Sequence, residues 1–470
     1  MNIPDAPKNQ PTLSRSLSML DAVMILVGGV IGSGIFLTAG AVAESLRRPD
    51  LFILVWIIGG IISLLACFSV AELAGMYPHA GGQYIYLREA YGELPAFLYG
   101  WMIFAVVQTG TIAALAVGFA QYFCAAIPGL ANSHALFSLQ LPFMHGPFDI
   151  TYQKLFAVLS ITMFTVVNIF GVRHGSNFVN FSTWIKFLVM AALVIFGFAF
   201  GKGNQAHFST NAGNPVHGMS QVSLGFGVAL ISVLFAYDGW IYVTWVAGEV
   251  KDSARNVPRA LIFGIGIVAI LYTAMNMAYL YALPLDTIMN SKAVVSDAAT
   301  AMFSPQWGTA LSLLVALSCL GAMCSAILST ARIFYAMAQD GVFFSKLAEI
   351  HPTHRTPVFS LLAQGAWAIV LAFIGVYDQL ITYAIFMMIV SYSATVGALF
   401  ILRRKYPDME RPYRCIGYPY VPIVYLIFAL AWTASTLWQS PIQSIGGAVI
   451  VVLGIPGYMY WTRRRGSQSN

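Results

Sequence analysis

Charge is scarce in this chain. Only 9% of its 470 residues are Asp, Glu, Lys or Arg, where a soluble domain carries roughly a quarter. So few charges cannot cover a water-facing surface, which excludes an ordinary soluble enzyme or binding module. Cysteine is scarce too: Cys67, Cys124, Cys319, Cys324 and Cys415 form no C-x-x-C pair. Most fall in apolar runs and read as small buried hydrophobes, so neither a disulfide framework nor a metal site is expected. No Walker A motif is present. The nearest string, GFAFGKGN at 197–204, has the wrong spacing and no Ser or Thr after Lys202, so transport by this chain would run on gradients or exchange. The apolar runs are continuous rather than alternating, which excludes a barrel. There is no room for a soluble domain, since the longest loops cover 125–153 and 283–306. The polar first 17 residues lack the apolar core and cleavage site of a removable signal, so the first apolar run is expected to be retained.

Apolar residues make up 59% of the chain, aromatic ones 14%, and there are 41 glycines, giving a mean hydropathy of +0.75. Twelve runs reach the length of about 20 residues that a bilayer span requires. They cover 19–43, 51–75, 94–124, 154–172, 178–201, 219–248, 258–282, 307–338, 357–376, 379–402, 420–438 and 443–462. The predicted architecture is an all-α polytopic membrane protein with 12 transmembrane helices. An even number of spans puts both termini on one side. With that side inside, the inner loops and tails hold 18 of the 24 basic residues and the outer loops five, with Lys186 inside span 5. That bias predicts cytoplasmic termini in a cell (plasma) membrane. The formal net charge of +6 is therefore a topology signal, and no nucleic-acid partner is expected.

Span 1 contains GGVIGSGIF at 28–36, a glycine-rich interruption at mid-depth, and span 6 contains LFAYDGW at 234–240. Each is the first span of a group of five. Discontinuous helices at matching positions of two halves point to a transporter site between inverted repeats. The division is then a tail over 1–17, a first repeat over 18–201, a second over 219–402, two additional spans within 420–463, and a tail over 464–470. A blander reading is that Gly28-x-x-x-Gly32 lets helices pack closely. It does not account for a second interruption that carries an acid.

At the span 1 break, carbonyls near Val30 and Ile31 lose their partners, as do the amides of Ser33, Gly34 and Ile35. A helix amino end attracts an anion and free carbonyls attract a cation. The two together suit a zwitterion such as an α-amino acid, its ammonium facing carbonyls of both spans. Gly32 and Gly34 are expected to supply backbone freedom and close approach. The span 6 candidates are Phe235, Ala236, Tyr237, Asp238 and Gly239.

These residues carry a recognisable pattern. GGVIGSGIF, AELAGMYPHAGGQYIYLREAYG at 71–92, FAYDGWIYVTWVAGEVKDSARNVPRA at 235–260, LSCLGAMCSAILSTARIFYAMAQDG at 317–341, IHPTHRTPV at 350–358 and RRKYPDMERPYR at 403–414 stand in order along the chain. From about residue 17 to 463 the chain resembles the amino acid–polyamine–organocation superfamily, and within it the L-type amino-acid transporters. The resemblance implies a five-plus-five inverted-repeat fold and sodium-independent exchange of neutral L-amino acids by alternating access. It places the substrate carboxylate on the Ser33 and Gly34 amides and the ammonium on the Val30 and Phe235 carbonyls, with Phe235 also gating the outer side. Lys186, in STWIKFL, matches a fifth-span lysine that stands where related carriers hold sodium, with span 8 hydroxyls such as Ser329 beside it. Mammalian members pair with a glycoprotein through a cysteine in the second outer loop. Residues 125–152 contain none, so no disulfide-linked heavy subunit is expected. Asp238 replaces a glycine found in several large-neutral carriers, which leaves substrate preference open.

Ionisable residues inside spans are costly and default to functional hypotheses. Lys186 reads as a coupling or conformational residue. Asp238 reads as a substrate-site contact, or otherwise as the cap of the second half of span 6. Glu72 reads as a structural partner of an inner-side Arg such as Arg332 or Arg255, and Glu249 as a partner of basic loop residues. Tyr237 and Trp240 fit packing as well as substrate contact. RRK at 403–405 and RRR at 463–465 are anchors near the headgroups. A proton-coupled amino-acid or amine carrier on the same fold is the alternative function. A membrane enzyme lacks a convergent catalytic cluster, and a channel lacks a ring of polar pore residues. No cofactor is implied.

Overall fold

The computed structural model describes residues 12–468 apart from 128–129, 131–135, 141–146, 214, 217, 292, 375–376 and 440. Lys8 and Lys292, both counted for orientation, lie outside the described residues, as does part of the loop over 125–153. Among the described residues nine helices are long and apolar enough to cross a bilayer. They are Pro49–Met76 (span 2), Glu93–Ala126 (span 3), Tyr152–Ile169 (span 4), Val172–Phe200 (span 5), Ser253–Ala282 (span 7), Pro305–Gln339 (span 8), Phe386–Lys405 (span 10), Tyr420–Trp438 (span 11) and Ser444–Arg465 (span 12). A tenth, span 1, consists of Met19–Val30 and Gly34–Leu46, bent by 42° at the break between them. Two shorter apolar helices, Ser220–Ala236 and Val358–Ile374, stand where spans 6 and 9 were predicted. The chain is an all-α polytopic membrane protein, and these helices fill the places of the twelve apolar runs.

Two features differ from the sequence reading. The loop after span 3 contains a small antiparallel hairpin, Phe137–Gln140 against Pro147–Ile150. Strands of four residues carry too little periodicity to be seen against apolar runs. Span 6 does not resume as a second long helix after its break. A single turn, Tyr242–Trp245, is followed by a tighter turn over Ala247–Glu249. The chain then turns to pair Val250 with Leu17 in a parallel bridge.

Helix packing follows a five-span offset. Span 2 lies along span 7, span 3 along span 8, span 4 along span 9, and span 1 meets span 6. Other contacts come as counterparts: span 1 with 7 and 6 with 2, span 3 with 10 and 8 with 5. Lipid tails are as apolar as leucine, so close packing and buried polar contacts must hold such helices together. Span 8 is the most enclosed, with 78% of its apolar window buried, and span 12 the least, with 11%. Outward-facing apolar residues such as Phe200, Ile270 and Trp438 are 74–88% exposed and present the surface that lipid would cover.

Candidate functional site

Span 1 opens with a reciprocal cap. The Ser18 hydroxyl accepts from the Asp21 amide at 3.2 Å, and the Asp21 carboxylate accepts from the Ser18 amide at 2.8 Å. Arg173 and Asn180 fix that carboxylate from span 5, at 2.9 and 2.6 Å. The helix runs to Val30 and stops: Ile31 leaves the helical region at φ −76°, ψ 74°. Its amide still reaches back to the Val27 carbonyl at 2.8 Å, and the Gly32 amide reaches the Val30 carbonyl at 2.8 Å. The chain re-enters a helix at Gly34. Among the described residues, the amides of Ser33, Gly34 and Ile35 have no hydrogen-bond acceptor, and Ser33 offers no side-chain cap. Three unpartnered donors at a helix amino end are the arrangement that favours an anion.

The carbonyl side of the break is held by side chains. Lys186, fully buried on span 5, donates to the carbonyls of Ile31 at 2.7 Å and Gly28 at 3.2 Å. None of the ion pairs among the described residues includes it. Its charge is met by peptide dipoles instead, through charge-assisted bonds stronger than neutral ones. From span 8 the Ser318 hydroxyl faces the carbonyls of Ile31 and Gly32, both at 2.9 Å, and Ser325 donates to Ile25 at 2.9 Å. Ser329, the hydroxyl expected beside Lys186, is buried and makes no hydrogen bond. It lies further along span 8, beyond the turn of span 1 that Ser325 reaches.

The two breaks cross in direct backbone contact. A Cβ on Gly34 would lie 2.8 Å from the Ala236 Cα, and one on Gly239 would lie 2.9 Å from the Gly29 carbonyl. Gly239 also has φ +101°, a conformation that side chains oppose. Neither Gly32 nor Gly34 has a positive φ, so the expectation of backbone freedom there is corrected. At Gly34 the small residue admits span 6, whereas a Cβ on Gly32 would make ordinary contacts at 3.4 and 3.5 Å. Gly28 packs against Thr183 and Val179 of span 5, as the packing reading of its spacing holds. Above the crossing, the Tyr272 hydroxyl from span 7 lies 3.0 Å from the Val30 carbonyl and 3.3 Å from that of Ala236. The Phe235 carbonyl accepts from the Asp238 amide at 3.1 Å.

Asp238 faces away from span 1. Its carboxylate accepts from the Tyr392 hydroxyl of span 10 at 2.5 Å. It lines a small pocket of about 40 Å³ with Phe235, Trp240, Ser63 and residues of spans 10 and 11. Trp240 packs on the Tyr392 ring, centroids 5.1 Å apart. Tyr237 is fully buried against Trp56 and Tyr272, its hydroxyl donating to the Trp56 carbonyl at 3.1 Å. In this geometry Tyr237 is a packing residue.

Towards the amino-terminal face the bundle is sealed. Glu249 pairs with Arg332 through two bonds of 2.6 and 3.0 Å, both side chains fully buried. Arg332, counted above among loop charges, therefore belongs to the interior of span 8, where its guanidinium also donates to the Leu328 carbonyl. Glu72 was expected to pair with an inner-side Arg such as Arg332 or Arg255. An Arg assigned to that side does hold it, but it is Arg403, at 2.8 and 2.5 Å, and the carboxylate also accepts from the Cys415 amide at 2.7 Å. The Arg403 charge at the end of span 10 is consequently a structural partner as well as an anchor. Leu17 bonds the backbone on both sides of Val250, at 3.0 and 2.8 Å. Asp340, at the end of span 8, takes bonds from Arg88 and Tyr84. All five cysteines are buried and unpaired, in keeping with their reading as small hydrophobes.

Ser318, Ser325 and Tyr272 were not singled out from the sequence. Ser318, Ser325 and Ser329 recur at intervals of seven and four, which puts them on one helix face, and that stripe was readable. Tyr272, an aromatic among aromatics in an apolar run, gave no signal. Comparison with known proteins agrees with the architecture. The family profile described as amino acid permease matches residues 17–458. The chain is 30% identical to the serine/threonine exchanger SteT of Bacillus subtilis (strain 168), over 97% of its own length and 98% of the relative's. It is 28% identical to the b(0,+)-type amino acid transporter 1 of Mus musculus, covering 94% and 86% of the two chains. It is also 29% identical to the large neutral amino acids transporter small subunit 2 of Homo sapiens, covering 96% and 82%. A profile that spans nearly every apolar run, and a relative matched end to end, place the chain in the amino acid permease family.

Proposed function

We propose that the protein is a sodium-independent exchanger of neutral L-amino acids that works by alternating access. The observation that carries this reading is the span 1 break, where three unpartnered amides stand beside carbonyls already served by a fixed ammonium. The carboxylate of an α-amino acid fits the amides of Ser33, Gly34 and Ile35. Its ammonium fits the remaining lone pairs of the Val30, Phe235 and Ala236 carbonyls, since each carbonyl can accept twice. Lys186 supplies the positive charge that the break requires, which is why no sodium is needed. A relative named as an exchanger, matched end to end, supports exchange over proton-coupled uptake. Alternating access then requires the seal around Glu249, Arg332 and the Leu17–Val250 pairing to open and re-form, while the repeats over 18–201 and 219–402 move against each other.

In the same reading both termini are cytoplasmic in the plasma membrane, and the chain works without a disulfide-linked subunit. The test is counterflow of labelled serine into proteoliposomes made from the purified chain alone. Uptake that depends on internal unlabelled amino acid, with choline in place of sodium, is the expected result. Uptake that needs a sodium or proton gradient and ignores internal substrate would overturn the proposal.

A further inference from the structure

On the amino-terminal face, away from the breaks, a groove of about 580 Å³ opens between the loop after span 8, the start of span 9 and the end of span 12. One wall is basic, with Lys346, Arg464 and Arg465, and among the described residues no Asp or Glu lines the groove. The other is apolar and aromatic. Phe344, Phe359, Leu362 and Tyr460 are 42–58% exposed, and Trp461 stacks its edge on Phe344 at 5.1 Å between centroids. Arg465 is held in place, bonding the Asp340 carbonyl at 2.8 Å and the Glu93 carboxylate at 3.0 Å. That clamp fixes the end of span 12 against spans 3 and 8 and so fixes the shape of the groove. Lys346 rests over the Phe359 ring, 6.0 Å from its centroid, its stem on the apolar wall and its charge at the basic one.

We propose that this groove holds one acidic two-chain glycerophospholipid, its phosphate at Lys346 and Arg464 and one acyl chain along Phe344, Phe359 and Leu362. The partner follows from the two walls. A soluble anion would leave the aromatic wall bare. A zwitterionic lipid carries a cation of its own, and among the described residues the groove offers no carboxylate to receive it. Exchanging a neighbouring lipid tail for this wall gains almost nothing, because bilayer tails are equally apolar. Selectivity must therefore come from the headgroup, at about five-fold for each cation near an anionic lipid. Lys346 and Arg464 together predict a preference of about 30-fold for anionic over zwitterionic lipid of equal chain length. The proposal is independent of what the breaks transport.

The test is native mass spectrometry of the intact full-length protein titrated with phosphatidylglycerol or phosphatidylcholine of matched chains. Expected is one saturable phosphatidylglycerol, weakened by added salt, about five-fold weaker after Lys346→Gln or Arg464→Gln and retained after Arg464→Lys. Lys346 lies in the short turn Ser345–Ala348 with its side chain over a ring and in no ion pair among the described residues, so Lys346→Gln serves if the Arg464 variants do not fold. Equal retention of both lipids, as for annular contact, would overturn the proposal. So would unchanged binding in Lys346→Gln, or displacement by glycerol phosphate at equal concentration.

Discussion

The two breaks look alike in sequence, each a glycine interruption in an apolar run, yet the protein completes them in opposite ways. In span 1 the carbonyls of Gly28, Val30, Ile31 and Gly32 each face a side-chain donor, from Lys186, Tyr272 and Ser318, while the amides of Ser33, Gly34 and Ile35 are left without partners. In span 6 the chain closes on itself, with the Asp238 amide on the Phe235 carbonyl and the Tyr242 amide on that of Gly239. The charged side chain there is turned outward to Tyr392. In the proposed function, span 1 is an electrostatic receptor with one side pre-filled. Span 6 is a steric partner that brings two carbonyls and its own tight turn to the crossing. An ammonium on a tether differs from a diffusible cation in this setting, because it cannot be lost when the site opens.

That contrast can be broken most sharply at Lys186. Lys186→Ala removes two charge-assisted bonds from buried carbonyls, each worth about 1.5–3 kcal/mol. Counterflow in proteoliposomes should fall at least tenfold, about 1.4 kcal/mol in the barrier. Exchange at the unsubstituted rate would show that the break does not need the charge. Next in size is Gly239→Ala, which places a Cβ against the Gly29 backbone at an unfavourable φ. A loss of about 2–3 kcal/mol is expected, read as a drop of several degrees in the unfolding temperature in detergent. An unchanged midpoint would mean that the crossing is looser than described.

Ser318→Ala removes one neutral hydroxyl from the Ile31 and Gly32 carbonyls, a change of about 1 kcal/mol. Exchange should slow about five-fold, whereas Ser329→Ala, deleting a hydroxyl that bonds to nothing, should change it less than two-fold. The reverse order would move the hydroxyl partner of the break back to Ser329. The smallest effect is expected at Gly32→Ala, whose Cβ meets only ordinary contacts. It should fold and transport nearly normally, while Gly34→Ala, aimed at the Ala236 backbone, should not. Equal outcomes for the two would return the glycine pattern to backbone freedom rather than helix approach.

Much of this was readable before the structure. The apolar runs set the spans because a bilayer demands about 20 apolar residues in a row. Both breaks stood out because glycine and an acid are costly at mid-depth. Lys186 stood out for the same reason, and its acceptors proved to be carbonyls of the break. Partner choice among charges was harder. Glu72 and Glu249 each had several basic candidates, and nothing local ranks Arg403 above Arg332. The short second half of span 6 was equally hidden, because Trp, Val and Tyr suit a helix until tertiary contact with Leu17 draws the chain away.

By itself, then, the sequence determined the membrane class, the apolar runs that become its helices, the places where two of them break and the one lysine buried beside a break. Those properties depend on composition and spacing along a single chain, which lipid reads one segment at a time. Tertiary structure alone decided that Gly34 meets Ala236, that Ser318 rather than Ser329 faces the break, that Tyr272 bridges carbonyls of both spans and that Asp238 turns to Tyr392. Each of these is a contact between segments distant in sequence. Their register is set by how small residues let helices approach, a property of pairs that no single run contains.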